Sequence, residues 1–456
     1  MSKKKTAAIV LAAGLGTRMK SKLPKVMHPV AGHPMVNHLL DTLGRMHVDR
    51  VVVVIGPDMP ELEAAVAPHP TVVQHERLGT GHAVRVGLDA LGPFKGDVLV
   101  LYGDTPLITE RTLNAMLEAR EPVEGRPAPA VVVLGFTPED PAAYGRLVVD
   151  EEDGELLAIV EFNDASPEER AIDLCNSGVM CFDGGLVEQL VARIGNDNAK
   201  GEYYLTDAVH LAREDGFACA AVEGDEEELI GVNSRAELAM VETLIQDRLR
   251  EKAMKNGCTL IDPSTVYFSY DTKIGKDVVV EPGVFFGPGV TVKDDVTIKA
   301  YSHIEGAVVK SGAVVGPYAR LRPGADIGKD ARVGNFVEIK NAEVEDGAKV
   351  NHLTYIGDAT VGAKANVGAG TITCNYDGFL KSRTVIGRGA FIGSNTALVA
   401  PVSIGDGAIV GAGSTITRDV DENAIVTTRA EQKQARGAAE SYRERKRAEK
   451  EKRQKG

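Results

Sequence analysis

From residue 274 onward an aliphatic residue or a Phe recurs at every sixth position, and that period leaves the backbone few choices. The series runs Ile274, Val280, Phe286, Val292, Ile298, Ile304 and resumes at Val309, Val315, Leu321, Ile327, Val333, Ile339. Shorter runs follow at Val344, Val350, Ile356 and at Val361, Val367, and a last one runs from Ile386 to Ile416. A helix repeats near 3.6 residues and an amphipathic strand at two, so neither can use a strict six. Hexapeptide self-similarity marks a parallel β-helix. Each aliphatic side chain then points inward, and small residues such as Gly275, Gly287, Gly316 and Gly328 let the chain turn tightly at the corners. If three hexapeptides make one coil, residues 274–416 would form about eight coils, a rod of ~40 Å at the usual strand spacing.

The part before residue 257 reads differently. Short β-branched runs (7–11, 51–55, 71–74, 98–102, 131–135) alternate with helical stretches (35–46, 61–67, 81–91, 109–119). Continuous apolar strands separated by helices predict an α/β domain, a Rossmann-like, mostly parallel sheet covered on both faces. Lys3–Lys5 before Thr6–Leu15 has the outline of a secretory signal, but Gly14, Gly16 and Arg18 interrupt its apolar stretch, so we read a buried strand entering a glycine loop. Residues 234–257 predict a linker helix with a Ser234/Glu237 capping box, a stripe of Leu238, Val241, Leu244, Ile245 and Leu249, and Gly257 as its stop. The expected division is therefore 1–233, a linker at 234–257, a rod at 258–435, and a tail at 436–456. The tail holds nine Lys/Arg against four Asp/Glu and is expected to be disordered.

Composition narrows the class of partner. The net charge is −13, which argues against a nucleic-acid footprint. No apolar run reaches the ~18 residues of a membrane span. Five cysteines with no CxxC spacing predict free thiols and a cytoplasmic protein.

Two sets of motifs carry chemistry. The first strand runs into Leu11-Ala12-Ala13-Gly14-Leu15-Gly16-Thr17-Arg18, then Pro24-Lys25. It lacks the Gly-Lys-Ser/Thr of a Walker loop and the third Gly of a dinucleotide fingerprint. It fits a nest of backbone N–H groups around phosphate oxygens, flanked by Arg18 and Lys25. Asp104 follows Tyr102-Gly103 at a strand's carboxyl end, where a carboxylate can reach a metal. On the rod, Arg322 and Lys340 fall one 18-residue coil apart on the same edge, a cation pair suited to phosphate. His352 follows two hexapeptide steps after Lys340. The hexapeptide period breaks between Val367 and Ile386 around Thr373-Cys374-Asn375-Tyr376-Asp377-Gly378, and such insertions often lie on a solenoid's binding face.

The Leu11–Lys25 pattern resembles the sugar-nucleotidylyltransferase family, which joins a sugar 1-phosphate to a nucleoside triphosphate and releases pyrophosphate. Gln74 and Leu78–Gly81 resemble its base-reading segment. With Tyr144–Arg146, Ile159–Glu161, Asn176–Gly178, Gly201–Asp207 and Gly231–Asn233, the chain is similar to the bacterial uridyltransferases for N-acetylglucosamine 1-phosphate. Residues 321–356 and 368–378 resemble the glucosamine-1-phosphate acetyltransferase half of the same bifunctional enzymes.

That resemblance implies a left-handed rod that packs as a homotrimer, with the acetyl site between subunits. It implies a uridyltransferase site of Leu11, Ala12, Ala13, Gly14, Lys25, Gln74, Gly79, Thr80, Tyr102, Gly103, Asp104, Gly145, Glu161, Asn176 and Asn233. Mg2+ would be held by Asp104 and Asn233, Lys25 would neutralise charge at the α-phosphate, and Arg18 would steady the departing pyrophosphate. On the rod, Arg322 and Lys340 would bind the sugar phosphate, and Tyr355 and Asn366 would contact the sugar. His352 would be the base, a role that a neutral imidazole suits. Ala369, Asn375, Tyr376, Ser394, Ala412 and Arg429 would surround acetyl-CoA, and either Ser394 or Asn375 can supply the oxyanion donor. The expected products are N-acetylglucosamine 1-phosphate from the rod, then UDP-N-acetylglucosamine and pyrophosphate from UTP. A nucleotidylyltransferase for another sugar with a regulatory rod, and a non-catalytic scaffold, are the rival classes.

Overall fold

The computed structural model describes residues 4–123, 125–141, 144–150, 152, 154–198 and 201–455. The chain divides into two compact units, Met1–Lys252 with Phe268–Tyr270, and Ala253–Tyr267 with Asp271–Gly456.

In the first unit the five expected strands form at Thr6–Leu11, Arg50–Ile55, Thr71–Val73, Asp97–Tyr102 and Val131–Phe136. Two further strands, Cys175–Asp183 and Cys219–Glu223, complete the main sheet. Its strand order by first residue is Cys219, Val131, Cys175, Asp97, Thr6, Arg50, Thr71. All pairings along it are parallel except those of Cys175–Asp183, which is antiparallel to both neighbours. An antiparallel hairpin, Arg146–Val149 with Leu156–Val160, branches from that strand.

Both sheet faces are covered. Along the first strand Ala7 and Ile9 enter one apolar cluster and Ala8 and Val10 the other, the period-two alternation of a strand buried on both sides. Helix Thr80–Leu91 crosses close enough that a Cβ on Gly87 would lie 2.5 Å from Ile9 Cγ2. Where the antiparallel strand joins its neighbour, Asp183 pairs with Asp97, and buried Arg120 bridges the two carboxylates at 2.7 and 3.0 Å.

The linker prediction is met in part. A helix runs Arg235–Lys255, and its Leu238, Val241, Leu244 and Ile245 pack in one apolar cluster. Gly257 follows at φ +96°. Ser234 Oγ accepts from Glu237 N, but the Glu237 carboxylate accepts from Asn233 N instead of closing the box on Ser234. Most of the helix belongs to the first unit, so the division falls near its end and not at residue 233.

The second unit is a left-handed parallel β-helix with three faces. Face 1 has eight strands beginning at Lys273–Ile274, face 2 has ten beginning at Thr259–Leu260, and face 3 has eight beginning at Phe285–Phe286. Within each coil the chain visits faces 1, 2 and 3 in turn, and each strand pairs with the one a coil later. Every predicted inward residue from Val280 to Ile416 is buried. Corner positions demand positive φ, and Tyr301, Tyr318, Phe336 and Leu353 adopt it between faces 2 and 3 without being glycine.

Residues Ala438–Lys455 form an exposed helix, which corrects the expectation of a disordered tail. Ala, Glu, Lys and Arg are strong helix formers, and Glu449 pairs with Lys446 at i−3 and Arg453 at i+4. All five cysteines are free thiols. No helix among the described residues is long and apolar enough to cross a membrane.

Candidate functional sites on the two units

The first site lies beyond the carboxyl ends of the central strands, where an open α/β sheet places its ligand crevice. Leu11 pairs with both Val54 and Tyr102, so three strands deliver their ends to one level. A cavity of about 530 Å³ opens there. Leu11, Ala12, Ala13, Gly14, Lys25, Gln74, Gly79, Thr80, Tyr102, Asp104, Glu161 and Asn176 line it, twelve of the residues expected from the sequence.

The Leu11–Gly16 loop offers the expected donors. Ala12 N donates to Val54 O, but the N–H groups of Ala13, Gly14 and Leu15 have no acceptor among the described residues. Across from the loop, Gln74 is buried and its Nε2 donates to Gly79 O at 3.3 Å and meets His82 Nδ1 at 3.1 Å, which fixes the amide's direction. Gly79 sits at φ +110°, and a Cβ there would lie 2.6 Å from Tyr203 O. Thus only glycine lets segment 201–207 close over segment 78–81. Gly81 N donates to Tyr203 O, and Leu205 N to Thr80 Oγ1.

Lys25, Asp104 and Asn233 converge. The Lys25 ammonium donates to the Asp104 carboxylate and, at 3.1 Å, to Asn233 Oδ1. Val232 N donates to Asp104 O, and Glu237 accepts from Asn233 N at 2.7 Å, which is how a residue 129 positions away is held beside Asp104. A cation thus already bridges one carboxylate and one amide oxygen, and hard oxygen donors of this kind suit Mg2+. Among the described residues no three His, Cys, Asp or Glu converge as a metal cage, so the remaining ligands of such an ion would be phosphate oxygens and water.

Other expected residues stand further back. Gly103 N donates to Leu11 O, and Gly145 O accepts from Asn176 N, so both act through backbone. Arg18 is exposed and does not line the cavity. Burial, with Asp104 and Glu161 nearby, raises the Tyr102 hydroxyl pKa and keeps it protonated. Tyr204, Thr206, Asn163, Asp164 and Arg77 also line the cavity. The quoted Gly201–Asp207 segment contained the first two, whereas Arg77 had no motif to mark it.

On the rod, the expected pair is adjacent. Arg322 N donates to Ile339 O; Arg322 follows the face 3 strand Arg320–Leu321, and Lys340 ends the strand Glu338–Lys340. Arg322 also pairs with Glu338 at 2.8 Å. A third cation joins them that the sequence reading missed. The inserted segment after Cys374 folds back through a Tyr376–Lys381 bridge, and Lys381, then Arg322, lower the pKa of Lys340. Glu338 and Asp358 lie beside these three cations, whose mutual repulsion shows in the lowered Lys340 pKa. Burial alone would raise the Asp358 pKa, but hydrogen bonds from Asn341 and Asn375, then the Lys381 and Lys340 charges, hold it low. That anion anchors Asn375 at the root of the segment.

His352 ends a face 2 strand, and its Nδ1 meets Asn335 Oδ1 at 2.7 Å. Three residues later Tyr355 opens a face 3 strand, so the two flank one corner. The same corner carries three of the expected acetyl-CoA residues. Leu353 N donates to Asn335 O, Gly370 N to His352 O, Asn395 N to Ala369 O, and Gly413 N to Ser394 O. Asn335, His352, Ala369, Ser394 and Ala412 therefore occupy one column on successive coils. Arg429 donates to Ala412 O at 2.9 Å and extends the column. Asn366 lies on face 2, paired with Lys349 and Phe391, and is not brought beside Arg322 and Lys340 within one chain.

Comparison with known proteins agrees with both halves. Residues 8–156 match the MobA-like NTP transferase domain, and residues 271–306 and 383–418 match the bacterial transferase hexapeptide repeats. The chain is 62% identical over 443 residues to "Bifunctional protein GlmU" of Paramagnetospirillum magneticum, covering 97% of this chain and 98% of that one. It is 63% identical over 439 residues to the protein of that name from Rhodospirillum rubrum, covering 96% and 97%. The Zymomonas mobilis protein is 51% identical over 444 residues, 96% of this chain and 98% of its own. The chain belongs to the bifunctional GlmU family, transferases that combine an NTP-transferase domain with a hexapeptide rod.

Proposed function

We propose that the rod N-acetylates glucosamine 1-phosphate with acetyl-CoA and that the first unit then couples the product to UTP, giving UDP-N-acetylglucosamine and pyrophosphate. The observation that carries this reading is the pairing, on one chain, of an N–H nest beside Lys25–Asp104–Asn233 with a three-cation cluster and a histidine column on the rod.

In the first unit both reactants are anions, so positioning and charge neutralisation do the catalysis. The free N–H groups of Ala13, Gly14 and Leu15 bind the nucleotide, and Gln74 reads its base. Lys25 offsets charge on the α-phosphate as the sugar phosphate oxygen attacks. Arg18, exposed on the same loop, reaches the pyrophosphate only as it departs. Glu161 and Asn176 hold the sugar. Asp104 and Asn233 would hold Mg2+, which supplies further neutralisation of the phosphates when bound. Lys25 would give up its bridging position to that ion and turn to phosphate.

On the rod, Arg322, Lys340 and Lys381 grip the sugar phosphate and Tyr355 the sugar. His352 takes the proton from the amine as nitrogen attacks the thioester carbonyl, and Asn335 orients the imidazole. The column Ala369, Ser394, Ala412 with Arg429, and Asn375 and Tyr376 on the inserted segment, receive acetyl-CoA. Asn366 lies on a different face from the phosphate cluster. A homotrimer, in which a neighbour's face 2 meets this chain's face 3, would unite them.

One incubation tests the whole. Glucosamine 1-phosphate, acetyl-CoA, UTP and Mg2+ should yield UDP-N-acetylglucosamine, free CoA and pyrophosphate. Absence of CoA release would reduce the rod to a scaffold, and absence of pyrophosphate would remove the uridylyl reading.

A further inference from the structure

We propose that Arg77 is a positioning residue of the nucleotide cavity, pinning the Ala13–Gly14 peptide so that the Gly14 N–H is held out for the nucleoside triphosphate. The proposal deepens the uridylyl reading above and rests on it.

Arg77 lies in the loop between Gln74 and Gly79 and lines the cavity. Its Nε donates to Ala13 O at 2.7 Å. In a trans peptide the carbonyl and the following N–H point in opposite directions. A guanidinium on the Ala13 carbonyl therefore turns the Gly14 N–H away from Arg77. That N–H has no acceptor among the described residues, and Gly14 lines the cavity. A charged donor on the carbonyl also polarises the peptide and strengthens its N–H as a donor. One bond thus couples the base-reading loop to the phosphate-binding loop, two segments 64 residues apart.

Gly56 makes room for this contact. A Cβ there would fall 2.5 Å from Arg77 Nη2 and 3.2 Å from Ala13 O. Gly56 has no positive φ to protect, so its bareness is explained by the atoms around it, the guanidinium first, then Met59 Cε at 3.0 Å and the carbonyl. Arg77 meets no carboxylate within ion-pair distance among the described residues, so its charge is not spent elsewhere.

The pinned N–H meets the nucleotide equally in the ground and transition states, so its loss should act on KM and not on kcat. In the full-length protein, Arg77→Gln should raise the KM for UTP about tenfold, the size expected for one hydrogen bond from a charged donor. Turnover and the KM for N-acetylglucosamine 1-phosphate should stay within about twofold. Arg77→Lys, which keeps charge and one donor, should recover most of the affinity. Gly56→Ala should reproduce the UTP effect, and the double variant should be no worse than either single one, since both break the same contact. An unchanged UTP KM in Arg77→Gln, equal rises for both substrates, or additive effects of the two changes would each overturn the proposal. Titration of UTP alone into wild type and Arg77→Gln separates this from the underlying reading. Weaker binding by the variant supports the role of Arg77 even if no pyrophosphate is formed, while equal binding, or none to either protein, overturns it.

Discussion

The two sites of this chain are built by opposite means. The first gathers residues from Leu11 to Thr206 into one cavity, because parallel strands deliver their carboxyl ends to a common level and loops then fold over them. The second spreads along the outside of a rod. Its histidine column follows one corner, Arg322 and Lys340 sit at the far side of face 3 with Lys381 brought in by the inserted segment, and Asn366 lies on face 2. A sheet with crossovers can enclose a small ligand by itself. A solenoid coil contacts only its neighbours, so it offers a surface and relies on insertions or another copy for walls. The Asn375–Arg383 segment, which carries Lys381, is such a wall.

That contrast can be broken most forcefully at the two proposed reaction centres. His352→Ala should depress acetyl transfer by about 10²–10⁴-fold, the usual worth of a general base. Uridylyl transfer should be intact, and the residual acetyl rate should climb with pH as more substrate amine is free. Near-normal acetyl transfer at pH 7 would return His352 to a structural role. Asp104→Ala should do the reverse, lowering uridylyl transfer by about 10²–10³-fold while CoA release continues. Equal loss of both activities would mean that the two centres are not separable.

Glycine substitution sharpens the comparison at the level of packing. A Cβ on Gly334 would lie 2.0 Å from Asn351 O, backbone that the next coil cannot move. Gly334→Ala should cost the rod about 1–3 kcal/mol, read as a lower calorimetric transition for that unit, with acetyl transfer falling because His352 adjoins Asn351. Gly14 has nothing within 4 Å of its Cβ position, so Gly14→Ala should melt like wild type and show its effect only as a higher UTP KM. A melting shift in Gly14→Ala as large as that in Gly334→Ala would contradict the distinction between an open cavity and a close-stacked coil.

The smallest effect concerns pH. Lys381 and Arg322 destabilise the Lys340 ammonium, so Lys340 loses its proton at a lower pH than an ordinary lysine. The cluster therefore holds its full charge at low pH and loses it as pH rises. The KM for glucosamine 1-phosphate should rise a few-fold on the alkaline side, starting below the ordinary lysine range. Lys381→Ala removes the chief cause, so the onset should move up in pH while binding at neutral pH weakens. An onset unchanged by that substitution would separate Lys381 from the phosphate cluster.

Much of this was legible in the amino-acid sequence because it repeats locally. A period of six marks a parallel β-helix with one inward residue per repeat, so the inward set from Val280 to Ile416 followed without any long-range information. The first strands and the N–H loop were readable for the same reason, since their chemistry lies within a few neighbours, whereas the corner residues Ala369, Ser394 and Ala412 followed only from the family resemblance. The tail helix was missed because charge suggested solvation, while propensity and the Glu449 pairs decided the backbone.

What only the tertiary structure decided are the meetings between distant segments. The family resemblance pairs Asn233 with Asp104, but nothing in the residues around Asn233 shows how its amide comes to face Lys25 there. That depends on a hydrogen bond from Val232 and on Glu237 turning from its capping partner. Lys381 sits in a segment whose hexapeptide period is broken, and it joins Arg322 and Lys340 only because the chain folds back there. Arg77 and Gly56 look like an exposed loop cation and an ordinary turn glycine until the Ala13 carbonyl is placed between them. Local pattern dictates which element forms, through steric and hydrophobic periodicity. Which side chains share a site depends on how strands are ordered and loops closed, and no periodicity encodes that.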